Sequence, residues 1–133
     1  MFFLTACCRD MQPYLDTPSA RDIVADEIRY VSNGKPGWVY CYAVLPDHFH
    51  LLVLLPKHVS PCDLIRLIKG RASAGLGKLG LRNVWNRSFH DRMIRNEMEM
   101  KETGRYILDN PVRRELVSKP QEWPWCGILD WKG

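Results

Sequence analysis

The sequence lacks a long hydrophobic run. Its longest strongly apolar stretch covers residues 51–55, whereas a helix that spans a bilayer needs about 20 such residues. The apolar N-terminal stretch, residues 1–6, has no basic residue before it and soon meets Arg9 and Asp10, which is unlike a signal peptide. We therefore expect a cytoplasmic protein that has no membrane partner.

Cysteine, proline and glycine are each too few to dominate the composition. The 133 residues include 5 Cys, 9 Pro and 9 Gly, which excludes a disulfide scaffold and a collagen-like repeat. No two cysteines have the C-x-x-C spacing of zinc and redox sites, so we expect inert thiols in a reducing compartment. The chain is 46% hydrophobic and 26% charged, as folded proteins are. Its length predicts one domain over residues 1–133, with a C-terminal tail at about 118–133.

Acidic residues are the minority, and the positive excess lies in one section. Residues 66–114 hold 12 basic and 5 acidic side chains, whereas the rest of the chain holds 7 basic and 10 acidic ones. A basic section of this kind suits a polyanion such as a nucleic acid. A solvated helical face would give the same count, so charge alone leaves both interpretations open.

Hydrophobic patterning predicts an α+β fold. Apolar, β-prone stretches predict strands at residues 2–8, 38–45, 49–55 and, with less regular patterning, 84–94. Helical patterns separate or follow them, which gives the order β-α-β-β-α-β-α. This order predicts a ferredoxin-like antiparallel sheet with helices packed mainly on one face.

Capping residues predict the helix boundaries. Ser19, with Asp22 three residues later, predicts the start of the first helix. Ser60, followed by Pro61 and Asp63, predicts the start of the second. The other expected boundaries are Asn33-Gly34 for the first helix, Gly75, Gly77 and Gly80 for the second, and Asn96 and Asn110, before Pro111, for the third.

Two histidines two positions apart, His48 and His50, are the first candidates for chemistry. Successive side chains of a strand point to opposite faces, so this spacing puts both imidazoles on one face. Two neutral rings placed in this way can chelate a divalent metal. The alternative is ordinary packing, because an H-x-H triplet has little specificity by itself. Asp47 is expected to point to the opposite face and is not counted as a ligand.

Tyr106 and Asn110 form the second candidate pair. They lie four residues apart in the third predicted helix and therefore share one stripe of its surface. A tyrosine oxygen is a competent nucleophile once its deprotonation is assisted, and an asparagine carbonyl can bind a hard cation. The alternative is that Tyr106 packs against the sheet and Asn110 caps the helix.

Three sequence blocks resemble one known family. The stretches LPDHFHLL (residues 45–52), WNRSFHDR (85–92) and RYILDNPVR (105–113) are similar, in that order, to blocks of the single-tyrosine transposases with a histidine-hydrophobe-histidine (HUH) signature. The branch that the chain resembles most is the REP-associated tyrosine transposases, which act on the hairpins of repetitive extragenic palindromes. The resemblance extends from residue 3 to about residue 125.

The resemblance implies a ferredoxin-like fold, a bound Mg²⁺ or Mn²⁺ ion, and cleavage and rejoining of single-stranded or hairpin DNA through a 5′-phosphotyrosine. It makes His48 and His50 metal ligands, Asn110 a third ligand, and Tyr106 the nucleophile.

The chain departs from the family pattern at four positions. Arg114 and Glu115 stand where a small residue and a glycine are common. Asn86 stands where glutamine is usual, and Leu45 where methionine is common. None of these four residues is an expected metal ligand or nucleophile, but Glu115 bears on the turn that follows the third block.

Seven basic residues are expected to contact DNA. Cations interleaved with aromatic residues suit single strands, whose bases are free to stack. Trp85 and Phe89 are the aromatic candidates in this section, with packing in the core as the alternative. The expected DNA contacts are Arg66, Lys69, Arg71, Arg87, Arg92, Arg95 and Arg113. The expected active form is a monomer or a homodimer.

Two other functions stay open at this point. One is a domesticated protein of the same fold that binds hairpin DNA without cleaving it, although the presence of His48, His50 and Tyr106 argues against it. The other is an HUH nuclease of replication initiation or plasmid relaxation, which the short chain and the lack of a helicase-like region disfavour.

Overall fold

The computed structural model describes residues 1–34 and 39–129 of the chain. Five strands form one antiparallel sheet in the spatial order β4-β1-β3-β2-β5. The strands and helices are β1 (Phe2–Cys7), α1 (Pro18–Gly34), β2 (Val39–Val44), β3 (His48–Val53), α2 (Pro61–Lys78), β4 (His90–Met93), α3 (Glu97–Arg113) and β5 (Cys126–Ile128). The predicted α+β class with an antiparallel sheet is confirmed.

The sheet is covered on both faces, and the helices divide two to one. Helices α1 and α2 pack on one face through a core that includes Leu4, Phe49 and Leu51. Helix α3 packs on the other face, where Leu52 and Ile107 belong to a smaller core. The helices therefore lie mainly on one face, as predicted. The exception, α3, is the helix that carries Tyr106.

Helix α1 begins one residue before the predicted cap at Ser19. The backbone N–H of Ala20 donates to the Thr17 hydroxyl at 3.2 Å, so Thr17 caps the helix. Pro18 occupies its first turn, where proline is preset for helical geometry and its missing N–H costs nothing. Asp22 does not act as a capping partner, because its carboxylate accepts from the Trp125 indole at 2.8 Å.

Helix α2 begins as predicted but continues farther than predicted. Ser60 and Asp63 form the expected capping box. Gly75 and Gly77 lie inside the helix and do not end it. A Cβ on Gly75 would stand 2.8 Å from a methyl carbon of Ile23, so the bare glycine lets α1 and α2 approach closely. The chain turns away at Gly80, whose φ of 84° is one that glycine adopts without strain.

Helix α3 begins at the predicted Asn96 cap but does not end at Asn110. It continues through Pro111 to Arg113, because a proline in the last turn removes only one intrahelical hydrogen bond and Pro111 is buried in the interior. The turn that follows needs a left-handed residue, and Glu115 takes that conformation with φ 61°. The family pattern has glycine there, which adopts this conformation without the steric cost that glutamate bears.

The predicted strand over residues 84–94 is wrong for most of its length. Only His90–Met93 pairs with β1, and Trp85 makes an isolated bridge with Cys8. Between them the backbone follows α2, since the ammonium of Lys69 donates to the carbonyl of Asn86 at 2.8 Å and to that of Ser88 at 3.3 Å.

A fifth strand, which sequence patterning did not predict, comes from the C-terminal tail. β5 extends the sheet beyond β2, and two tryptophans hold it in place. The indole of Trp123 donates to the carbonyl of Val44 at 2.9 Å, and the ring of Trp125 stacks on the guanidinium of Arg21. The sequence Lys35-Pro36-Gly37 predicts a turn and Trp131 is a candidate packing residue, and both lie outside the described residues. Within the described ranges no helix is long and apolar enough to cross a membrane.

Candidate active site

His48 and His50 occupy the start of β3 and point to the same face of the sheet, as the alternation of a strand predicts. Both are buried, with 6% and 5% of their surfaces exposed. Their Nε2 atoms face each other at 3.0 Å. This face is the one that α3 covers, so two imidazole nitrogens meet between the sheet and the helix.

Each ring is held through its other nitrogen. Nδ1 of His48 lies 2.6 Å from a carboxylate oxygen of Asp47, and Nδ1 of His50 lies 2.8 Å from the hydroxyl of Thr5 on β1. Burial lowers the pKa of His48, against the opposing effect of Asp47. Burial also lowers the pKa of His50 to about 3, helped by the nearby charge of Arg114. Both rings are therefore neutral at neutral pH and able to bind a cation.

The expectation that Asp47 points away from the histidines is wrong. Asp47 lies in the turn before β3, where the alternation of a strand does not apply, and its carboxylate faces His48. Burial acts to raise the pKa of Asp47, but hydrogen bonds from Arg114 and His48 outweigh it and lower that pKa. The ionised carboxylate accepts the Nδ1 proton of His48, which leaves Nε2 of that ring with a free lone pair.

Asn110 completes the group from the opposite side. Its amide nitrogen lies 3.4 Å from Nε2 of His50. The Nε2 atoms of the two histidines face each other at 3.0 Å, close enough to bind one cation together. The carbonyl oxygen of Asn110 is buried and has no hydrogen-bond partner.

These atoms fit a divalent cation that prefers octahedral coordination. Ligands on adjacent corners of an octahedron with bonds of about 2.1 Å are about 3 Å apart, and the two histidine nitrogens are 3.0 Å apart. The orphaned oxygen of Asn110 adds a hard donor. Among residues 1–34 and 39–129 no group of three His, Cys, Asp or Glu side chains is placed to hold a metal ion, so the candidate site combines the two histidines with the amide of Asn110.

Tyr106 lies one turn before Asn110 on α3, at the edge of this group. Its ring centroid is 5.8 Å from that of His50 and 5.9 Å from that of Phe3. The guanidinium carbon of Arg113 lies over the other side, 4.7 Å from the ring centroid. Tyr106 is 38% exposed, so a substrate from solvent can reach it while its ring is held on both sides.

Arg114 is a site residue that sequence reasoning noted only as a departure from the family pattern. Its guanidinium donates to the second carboxylate oxygen of Asp47 at 2.9 Å. No local sequence pattern indicates this pair, because the two residues are 67 positions apart and meet only when α3 docks on the sheet.

The seven basic residues expected to contact DNA do not form one cluster. A cleft of about 480 Å³ lies between α2 and the segment before β4, and we call it the α2 cleft. It is lined by Arg66, Lys69 and Arg87. Trp85 and Phe89 also line it and pack against the core beneath. The α2 cleft lies on the face of the sheet opposite the histidines.

The other four expected contacts lie elsewhere. Arg71 pairs with Glu27 of α1 and stacks on Tyr30, so it links two helices. Arg92 donates to the Thr103 hydroxyl at 3.1 Å and, with Arg95, lines a separate cleft between β4 and α3. Arg113 is the one that lies beside Tyr106.

Comparisons with known proteins agree on one family. Residues 4–110 match the sequence model of the IS200-like transposases. A REP-associated tyrosine transposase of Escherichia coli K12 is 27% identical over 143 aligned residues, which span 99% of this chain and 84% of that protein. A solved structure of a REP-associated tyrosine transposase bound to a REP hairpin superposes with a TM-score of 0.77 at 26% identity, over 99% of this chain and 84% of that one.

The family match covers most of the chain, and the histidine pair, Tyr106 and Asn110 lie within the matched residues. This chain belongs to the IS200-like transposase family.

Proposed function

We propose that the protein is a metal-dependent transesterase that cleaves and rejoins single-stranded DNA beside hairpins of palindromic repeats. The observation that carries the proposal is the convergence of His48, His50 and Asn110 beside the exposed ring of Tyr106. The proposal is also supported by the family of this chain, the IS200-like transposases, and by its similarity to a transposase that was solved bound to a REP hairpin.

We assign a Mg²⁺ or Mn²⁺ ion to the nitrogens of His48 and His50 and the carbonyl oxygen of Asn110. When bound there, the ion supplies positive charge that stabilises the negative charge developing on the scissile phosphate. All three side chains are neutral donors, so they do not cancel that charge. Asp47 and Thr5 keep the two imidazoles in the tautomer that presents Nε2 to the cation.

Tyr106 is the proposed nucleophile. Its phenolic oxygen forms a bond to phosphorus while the bond from phosphorus to the 3′-oxygen breaks. The phenolic proton leaves to the solvent that reaches this exposed residue, and the departing oxygen takes a proton to become a 3′-hydroxyl. The 5′-phosphate remains on the tyrosine as an ester, so a second 3′-hydroxyl can attack it and rejoin DNA without ATP.

The positive charge of Arg113 supports this role of Tyr106. A guanidinium 4.7 Å from the ring centroid attracts the phosphate that is attacked and stabilises the charge that develops on it. The rings of Phe3 and His50 restrict the tyrosine from the other side, and orientation of this kind is a large part of catalysis for phosphoryl transfer.

A strand-cleavage assay tests the proposed reaction. We use labelled oligonucleotides that carry palindromic sequences from beside the coding region, with single-stranded flanks and Mn²⁺. The expected result is cleavage in the single-stranded flank, which stops with a chelator and does not occur when the flank is made duplex. Binding without any cleavage would instead indicate a hairpin-binding protein that has lost the reaction.

The α2 cleft is the proposed track for the DNA backbone, because it combines cations with two aromatic rings. We expect Arg66→Gln and Arg87→Gln each to weaken binding of single-stranded DNA by about 3- to 10-fold, and to lower the slope of log affinity against log salt by about 0.7. Arg71→Gln is the matched control from the same helix, since Arg71 is paired with Glu27.

Fluorescence anisotropy across a salt series measures these effects. If the control weakens binding as much as the two cleft variants, or if affinity does not depend on salt, the α2 cleft is not the track. Lys69 is left unchanged in this experiment, because it holds the backbone of residues 86 and 88 and its loss would alter the shape of the cleft.

A further inference from the structure

We propose that Arg114 is a positioning residue that joins the tyrosine helix to the histidine strand and holds His48 in its metal-binding orientation. The inference rests on the proposed metal site, and it concerns a residue at which this chain departs from the family pattern. Arg114 follows the last residue of α3, whereas Asp47 precedes the first residue of β3. The ion pair between them therefore connects the two elements that carry the proposed ligands.

Arg114 makes hydrogen bonds both to Asn110 on α3 and to Asp47 before β3. Its backbone N–H donates to the carbonyl of Asn110 at 3.0 Å, and its guanidinium donates to Asp47 at 2.9 Å. The other carboxylate oxygen of Asp47 accepts from His48. A continuous path of hydrogen bonds thus runs from the residue that bears the amide ligand to the ring of one imidazole ligand.

The carboxylate of Asp47 needs such a partner. Its side chain is only 12% exposed, and a buried carboxylate is costly unless it is paired and hydrogen-bonded. The backbone carbonyl of Asp47 is fixed independently by the N–H of Cys8 at 2.8 Å. The main chain of the turn is therefore already anchored to β1, and what Arg114 adds is control of the side chain that orients His48.

With a small residue at position 114, the Asp47 carboxylate would lose its guanidinium partner. Partners that orient a metal-ligating histidine change metal affinity or activity by about 10- to 100-fold when they are lost. The Arg114 side chain is 41% exposed, so its removal creates no core cavity. We therefore expect an effect on the site that is much larger than the effect on folding.

The test measures the metal-free protein and Mn²⁺ binding without DNA. In Arg114→Met we expect the Nδ1 proton of His48, observed by NMR, to exchange with water at least about 10-fold faster than in the wild type. Mn²⁺ affinity, measured by calorimetry, is expected to fall about 10-fold, while unfolding stays cooperative and the melting temperature falls by only about a few degrees. Arg114→Lys should recover most of the loss, because the observed contact uses a single nitrogen. Lys101→Met is the control, since it removes an exposed ion pair of the same helix.

A double-mutant cycle with Asp47→Asn separates positioning from other roles. Arg114→Met should have no further effect on Mn²⁺ affinity once Asp47 is neutralised. Additive effects, or unchanged proton exchange and Mn²⁺ affinity in Arg114→Met, would overturn the inference. So would a loss of DNA affinity alone, which would mark Arg114 as a direct DNA contact. A wild-type protein that binds Mn²⁺ through this network but cleaves no DNA would contradict the proposed reaction and leave the role of Arg114 standing.

Discussion

Tyr106→Phe is expected to abolish strand cleavage, with a loss of at least about 10⁴-fold, and to leave folding and DNA affinity nearly unchanged. The substitution keeps the ring that packs between Phe3, His50 and Arg113 and removes the oxygen that attacks phosphorus. In the described part of the chain the Tyr106 hydroxyl makes no hydrogen bond, so its removal leaves no partner unsatisfied. Single-turnover cleavage, thermal unfolding and anisotropy measure the three quantities.

Tyr30→Phe is the matched control for this experiment. Tyr30 is 61% exposed on α1 and its ring stacks on Arg71, a contact that phenylalanine preserves. The control should cleave at the wild-type rate. A Tyr106→Phe protein that retains cleavage would remove Tyr106 from the reaction, whatever its effect on stability.

Loss of the histidine pair has the second large expected effect. We expect His48→Ala and His50→Ala each to abolish measurable Mn²⁺ binding and to reduce cleavage by at least about 10³-fold. The reason is that each variant removes one of two nitrogens that face each other at 3.0 Å, and among the described residues no third histidine, cysteine or carboxylate is placed to hold a metal ion with them. DNA affinity should change little, because the α2 cleft lies on the other face of the sheet.

Two further variants make the metal experiment decisive. Asn110→Ala is included because it removes the amide of the same site and keeps both imidazoles. His58→Ala, an exposed histidine just after β3, controls for nonspecific metal binding and should behave as wild type. Cleavage that persists in a chelator, or in the double variant of His48 and His50, is incompatible with the proposed site.

The local parts of the site could be predicted from the sequence. The alternation of a strand placed His48 and His50 on one face, and the period of a helix placed Tyr106 and Asn110 on one stripe. That the two pairs meet depends on α3 docking on this face of the sheet, and contacts such as the one between Asn110 and His50 span 60 residues. Only the resemblance to a family suggested that meeting in advance.

The wrong predictions share a physical cause, since each extended a local rule into a place where tertiary contacts decide. Asp47 did not follow strand alternation because it lies in a turn. Residues 87–89 do not pair with β1, since the backbone there follows α2, where Lys69 binds the carbonyls of Asn86 and Ser88.

Long-range pairing also explains what the sequence did not reveal. Arg71 was expected to contact DNA, and its sequence neighbourhood did not reveal that Glu27, which the fold brings to its side, pairs with it. Strand β5 is short, and its place in the sheet depends on Trp123 and Val44, which are 79 positions apart. Arg114 likewise acquires a role only through Asp47. Such partners cannot be read from periodicity or composition.

The central claim is that Tyr106 forms a covalent bond with DNA, and mapping that bond tests it most directly. Wild-type protein is incubated with Mn²⁺ and an oligonucleotide labelled at its 3′ end, trapped by denaturation and digested with trypsin and nuclease. We expect the label on the tryptic peptide that ends at Arg113, in which Tyr106 is the sole tyrosine, and a free 3′-hydroxyl on the other fragment. An adduct on any other tyrosine, or cleavage that leaves no covalent adduct, would contradict the mechanism.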